Sequence, residues 1–184
     1  LRGVPQFLAR YGAFDPGKFA RDATYSPDLP TDVNVLNQIY QQAGGGKIDG
    51  VLAIDPYGLA AFLRFTGPVH VPGLPFPLTA QNAADVLLKQ QYTTYDVGIS
   101  NQDLVRHDFL QGALHVVFGQ LVAGSLPSPK ALSAVLYPAV ASGRLSFWSF
   151  DPSEHSLVDE LGLSGSFPRT QGSDLLAVTT QNLS

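Results

Sequence analysis

Few residues in this chain have the type and spacing to do chemistry. The run Gly44-Gly45-Gly46-Lys47 has the composition of a phosphate cradle. Such a loop must follow a strand and open a helix, so that backbone N–H groups and the helix dipole face the phosphate. Here a helical pattern precedes the glycines, a strand pattern follows, and no Ser or Thr succeeds Lys47 to reach Mg²⁺. The run reads as a helix stop. Asp55-Pro56 is a second candidate, at a strand-to-helix junction of the kind where ligands bind in open α/β sheets. The same dipeptide is also the ordinary cap and first position of a helix.

The four histidines, His70, His107, His115 and His155, are scattered and form no HxH or HExxH pair, so no metal site is expected. No GxSxG elbow occurs, and a chain without cysteine has no thiolate chemistry. Two arginines stand apart. Arg106 begins the most apolar helical segment, and Arg21 lies in "ARDATYSPDLP" among Asp22, Tyr25, Ser26 and Asp28. Arginine suits bidentate phosphate recognition, and it equally forms ion pairs with neighbouring carboxylates.

Composition bounds these possibilities. The 184-residue chain has 45% hydrophobic and 14% charged residues. That balance is of a folded domain with a core of its own. The net charge is −4 and the eleven basic residues are dispersed. This excludes a sequence-independent grip on nucleic acid, which needs many phosphate contacts. The absence of cysteine is compatible with either side of a membrane. The longest apolar stretch, "ALHVVFGQLVAG", is interrupted by His115, Gly119 and Gln120. It falls short of the roughly 20 residues that a membrane helix needs. With no methionine and no signal peptide pattern, the segment reads as part of a longer product whose anchor lies outside it.

The elements that must position the candidates follow from periodicity. Residues 1–30 are broken by proline and glycine. They read as an irregular wrap anchored by Phe7, Leu8, Tyr11, Phe14 and Phe19. A helix runs from a Thr31 or Asp32 cap to Gly44, with Val33, Leu36, Ile39 and Tyr40 on one face, stopped by its glycines. "KIDGVLAI" is apolar on both faces, as a central strand covered on two sides is. Asp55 caps the next helix, "PVHV" reads as a short strand, and a Thr79-capped helix follows. The longest helix carries a stripe of Leu104, Phe109, Leu110, Ala113, Leu114, Val117 and Leu121. That stripe fits ordinary core and, as the rival reading, the lining of a lipid tunnel. A Ser128-Pro129 helix, the strand "RLSFWSF", an Asp151-capped helix and a final strand "DLLAVTTQN" complete the chain. Alternating helices and strands predict a single α/β domain over 1–184, with helices layered on a central mixed or mostly parallel sheet.

Several blocks in order, "RDATYSPDLP", "KIDGVLAIDPYGLAAFLRFTGPVHVPGLPFPLTAQNAADVLLKQQY", "RHDFLQGAL" and "LAVTTQN", resemble an uncharacterised family of membrane-anchored, extracytoplasmic proteins of Gram-positive, mostly actinobacterial, species. That family is catalogued as a domain of unknown function. It is in turn similar to the LytR-CpsA-Psr group, which transfers glycans from polyprenyl-pyrophosphate carriers. The resemblance implies an envelope domain binding a polyprenyl-phosphate-linked or similar amphiphilic ligand, as part of a glycan phosphotransferase. It puts Arg106 on the pyrophosphate, with Arg21 and Asp22 as second candidates, and Mg²⁺ as the only cofactor it brings. The group's earlier strands, which carry further arginines and aspartates, have no counterpart here. A non-catalytic binding or scaffolding domain that keeps the fold without the chemistry stands as the alternative.

Overall fold

The computed structural model describes residues 4–18, 20–90, 102–124, 127–167 and 172; within these spans the side chains of Ala20, Arg21, Gln90, residues 102–108 and Pro129 lie outside the description. The chain divides into two compact units, one of Leu1–Ala53 with Ser146–Ser184 and one of Ile54–Leu145.

In the first unit the proline- and glycine-rich start is more regular than expected. Pro5 takes a first-turn position, where its missing N–H costs nothing, and opens helix α1 (Pro5–Tyr11). Short 3₁₀ turns follow at Gly12–Phe14 and Ala20–Thr24. Helix α2 (Leu29–Gln42) begins one turn before the expected caps. Asp28 takes the extended N-cap conformation, and Pro30 fits the first turn. Phe7, Ala23 and Val35 form a buried cluster, with Val4, Tyr11, Leu36 and Ile39 packed against it. Gly44, at φ +87°, follows the end of α2, so the glycine run is the helix stop its order in the sequence indicates.

The same unit buries carboxyl groups. Asp32, 5% exposed, accepts a hydrogen bond from the Ser26 N–H at 3.0 Å. Burial raises its pKa to about 7, the Ser26 bond opposes this, and the nearby Asp28 charge adds to it, each in the direction electrostatics requires. Asp28 accepts the Thr31 hydroxyl on one oxygen, at 2.7 Å, and the Phe167 N–H on the other, at 3.3 Å.

Strand β1 (Gly50–Ile54) pairs with β2 (Leu145–Ser149) in a two-stranded sheet. The Phe150 N–H donates to the Asp49 carbonyl and the Asp55 N–H to the Arg144 carbonyl, an antiparallel register. Helix α7 (Pro152–Glu160), which closes the first unit's described elements, is capped by Asp151, whose Oδ1 accepts the N–H groups of Ser153 and Glu154. The expected final strand "DLLAVTTQN" lies outside the described residues.

The second unit is helical. Helix α3 (Pro56–Thr66) packs against α5 (Gln102–Ala123) and α6 (Pro129–Ala141), and also against the short α4 (Ala83–Asp85), which runs into a π-helical turn, Val86–Gln90. Leu59, Phe62, Leu63, Phe109, Ala113 and Val117 are buried, and the Phe62 and Phe118 rings lie 5.5 Å apart. The buried line of α5 is narrower than the expected stripe, since Leu114 remains 37% exposed.

This architecture corrects the expected α/β class. The described residues are predominantly helical, and their sheet is a small antiparallel pair in place of a central mixed or parallel one. "PVHV" contributes a single antiparallel bridge between Val69 and Leu78, because Pro68 and Pro72 on either side cannot donate to a longer ladder. An apolar strand such as "GVLAI" is compatible with either sheet, because periodicity does not reveal strand direction. All five of its residues are only half-buried, so it is no central strand. With the parallel sheet gone, the likeness to the LytR-CpsA-Psr enzymes is withdrawn. So is the α/β picture drawn from it. Among the described residues, no helix is long and apolar enough to cross a membrane.

Candidate functional site

The polar centre of the second unit forms where β1 turns into α3. Asp55 has extended backbone angles, and its Oδ1 accepts the Gly58 N–H at 2.8 Å. The cap reading of Asp55-Pro56 therefore holds. The cap is only half of its role. Oδ2 accepts a hydrogen bond from Arg144 Nη1 at 2.7 Å, and the Asp55 N–H reaches the Arg144 carbonyl at 3.1 Å. The guanidinium carbon lies 4.7 Å from the centre of the Tyr57 ring, a cation–π arrangement. Gly58 makes this closeness feasible, since a Cβ there would collide with the Arg144 carbonyl oxygen.

Arg144 is thus fixed on two sides while its side chain stays 47% exposed. The Asp55 hydrogen bond and charge push its pKa further up, with a smaller contribution from Tyr57. Lys89, on the π turn, pairs with Asp85 at 2.8 Å. That bond raises the Lys89 pKa, and Tyr57 again contributes. The phenol is within electrostatic reach of both cations.

Beside this polar group lies a cleft of about 180 Å³. Ile54, Pro56 and Leu59 line one side, and Leu87 of the π turn with Leu110 and Leu114 of α5 line the other. Among the described residues of the lining, Asp55 alone is polar. The arrangement offers an apolar slot with a carboxylate at its edge, and that carboxylate holds an arginine with donors to spare.

The expected ligand residues fall as follows. Arg106 lies on α5, and its side chain is outside the described set. Its position, four before Leu110, is in the helical register of the two cleft leucines. Arg21 lies on the Ala20–Thr24 turn of the other unit, and its side chain is also undescribed. Asp22 is buried, 5% exposed, and accepts the Tyr25 hydroxyl at 3.0 Å. No group of three or more His, Asp or Glu among the described residues is arranged to hold a metal ion. The Mg²⁺ of the resemblance, which takes several oxygen ligands, finds no fitting set there.

Arg144, Tyr57 and Lys89 escape sequence reasoning. Arg144 is 89 positions from Asp55, and only the antiparallel register of β1 and β2 brings them together. The Asp-Pro signal is correct for the cap and silent about this second partner. No curated protein and no solved structure matches the chain. Residues 2–92 match the family model described as "Protein of unknown function (DUF4012)".

Proposed function

We propose that this chain is an extracytoplasmic binding module for an amphiphilic ligand with an anionic head and an apolar chain whose first few carbons enter the slot, of which an acyl or polyprenyl phosphate is the type. The observation that supports it is the apolar cleft lined at one point by Asp55, whose carboxylate holds Arg144. An aliphatic segment entering the slot gains about 0.8 kcal/mol for each buried CH₂. The slot measures about 180 Å³. It holds roughly six groups of the ~30 Å³ that a water-sized molecule occupies. Arg144 keeps N–H donors for a head-group oxygen while Asp55 and Tyr57 hold the guanidinium in place, so little side-chain entropy is lost on binding. The envelope setting rests on the residue resemblance alone; the cysteine-free composition suits either side of a membrane.

Filling the slot tests the reading. Leu114→Trp places a larger ring where a half-exposed leucine now lines the cleft. It is expected to weaken decyl phosphate binding, followed by titration calorimetry, about tenfold or more, the equivalent of roughly two lost methylenes. Undiminished binding in a folded variant contradicts the assignment. The rival scaffolding role is favoured by exposed apolar side chains of the second unit, Val122 at 83% and Tyr137 at 64%. They lie on α5 and α6, and exposed apolar surface serves contacts with other molecules where it is contiguous. The rival predicts that alkyl phosphates do not bind at all.

A further inference from the structure

A second concavity, in the first unit, is chemically unlike the cleft. It runs between α1 and α2 as two lobes of about 260 and 330 Å³, which share Gln6, Phe7 and Thr31. Phe7, 3% exposed, is a closed apolar base, while Gln6 and Arg10 rise from α1 one turn apart. The Tyr11 ring tilts against Phe7 at 5.0 Å between ring centres, and Phe167, 39% exposed, lines the same lobe as Tyr11.

The hydrogen-bonding capacity of these walls is only partly used. Asp28 has both oxygens engaged, by Thr31 and Phe167. Asn34 donates to the Pro30 carbonyl at 2.9 Å and keeps its oxygen and its second N–H. The side chains of Gln6 and Arg10 and the Tyr11 hydroxyl have no hydrogen-bond or ion-pair partner among the described residues.

The geometry points to a saccharide site, with an acidic sugar as ligand. Each sugar hydroxyl both donates and accepts, and the amides of Gln6 and Asn34 offer both functions in one plane. The apolar C–H face of a pyranose matches an aromatic ring, here Tyr11 or Phe167. The Asp28 carboxylate is already held by its two donors, whereas the Arg10 guanidinium has no partner among the described residues and selects a ligand carrying a carboxylate. A polyanion such as nucleic acid requires many more cations than one. An extended peptide adds to a sheet edge or lies in an apolar groove, and the walls here are helical and polar. This site is independent of the amphiphile cleft and stands or falls separately.

Titration of the full chain with an oligogalacturonate, a neutral oligosaccharide of equal length and an oligoglutamate, followed by amide NMR shifts, tests the assignment. The oligogalacturonate is expected to shift signals from residues 6–11 and 31–34, and to bind about tenfold more tightly than the neutral sugar, as one charge-assisted hydrogen bond confers. Arg10→Gln removes that preference and Gln6→Ala weakens both sugars. Both positions are exposed, so the variants fold. The inference is overturned if neither sugar moves these signals, if Arg10→Gln keeps the preference, or if oligoglutamate occupies the same residues more tightly than the sugars.

Discussion

The most consequential single side chain of the first unit is Asp32. Its carboxyl is buried with one backbone donor and a like charge nearby, so the protonated form is favoured in the folded state. The folded pKa of about 7 lies above the unfolded value of 3.8. The native state therefore binds the extra proton between these limits. The stabilisation from this group is complete below about pH 4 and is lost as pH rises through about 7. Asparagine imitates the protonated acid, with an oxygen for the Ser26 N–H and a donor beside it. Asp32→Asn is expected to raise stability at pH 8 by on the order of 1–2 kcal/mol and to flatten its decline between pH 5 and 8, as read from urea melts. A parallel decline in both proteins contradicts the assignment.

At the scale of elements, the β1–α3 junction depends on a glycine for reasons opposite to the usual ones. Within a helix, Gly→Ala commonly stabilises, by up to about 1 kcal/mol. At Gly58 the added methyl meets the Arg144 carbonyl and the Ile54 side chain, and a carbonyl already bonded to the Asp55 N–H does not move aside cheaply. Gly58→Ala is expected to destabilise by about 1–3 kcal/mol in thermal or urea unfolding, the cost typical of overpacking. A more stable variant would show that the approach is looser than described. The neighbouring Asp55–Arg144 pair is a different matter. Both side chains are partly exposed, and such ion pairs contribute little to stability. Its value lies in positioning the guanidinium.

The same junction shows what is legible in the sequence. Helix starts are readable at Asp55-Pro56, Ser128-Pro129 and Asp151-Pro152, because the cap is a local interaction, although the same pairing at Asp15-Pro16 and Ser26-Pro27 starts no helix. The extent of α2 is half readable. Its glycine stop is visible, while its start after Asp28 is hidden by prolines that suit a first turn as well as a break. The sheet is not readable, because alternation and apolarity describe the faces of a strand and are silent on its partner's direction. Arg144 cannot be found from the sequence, since its relation to Asp55 exists only through the register of two distant strands.

For the molecule as a whole, the central claim is that the second unit receives an apolar chain in a slot of limited volume, lined by the aspartate that holds Arg144. Burial energy grows with each methylene and ceases once the slot is full. The direct measurement is the dissociation constant of n-alkyl phosphates of increasing chain length, from ethyl to dodecyl, by calorimetry, for the native chain. The account predicts a fall of about three- to fourfold per added carbon up to roughly six carbons and a plateau beyond. Affinity independent of chain length, or absent at every length, would contradict it.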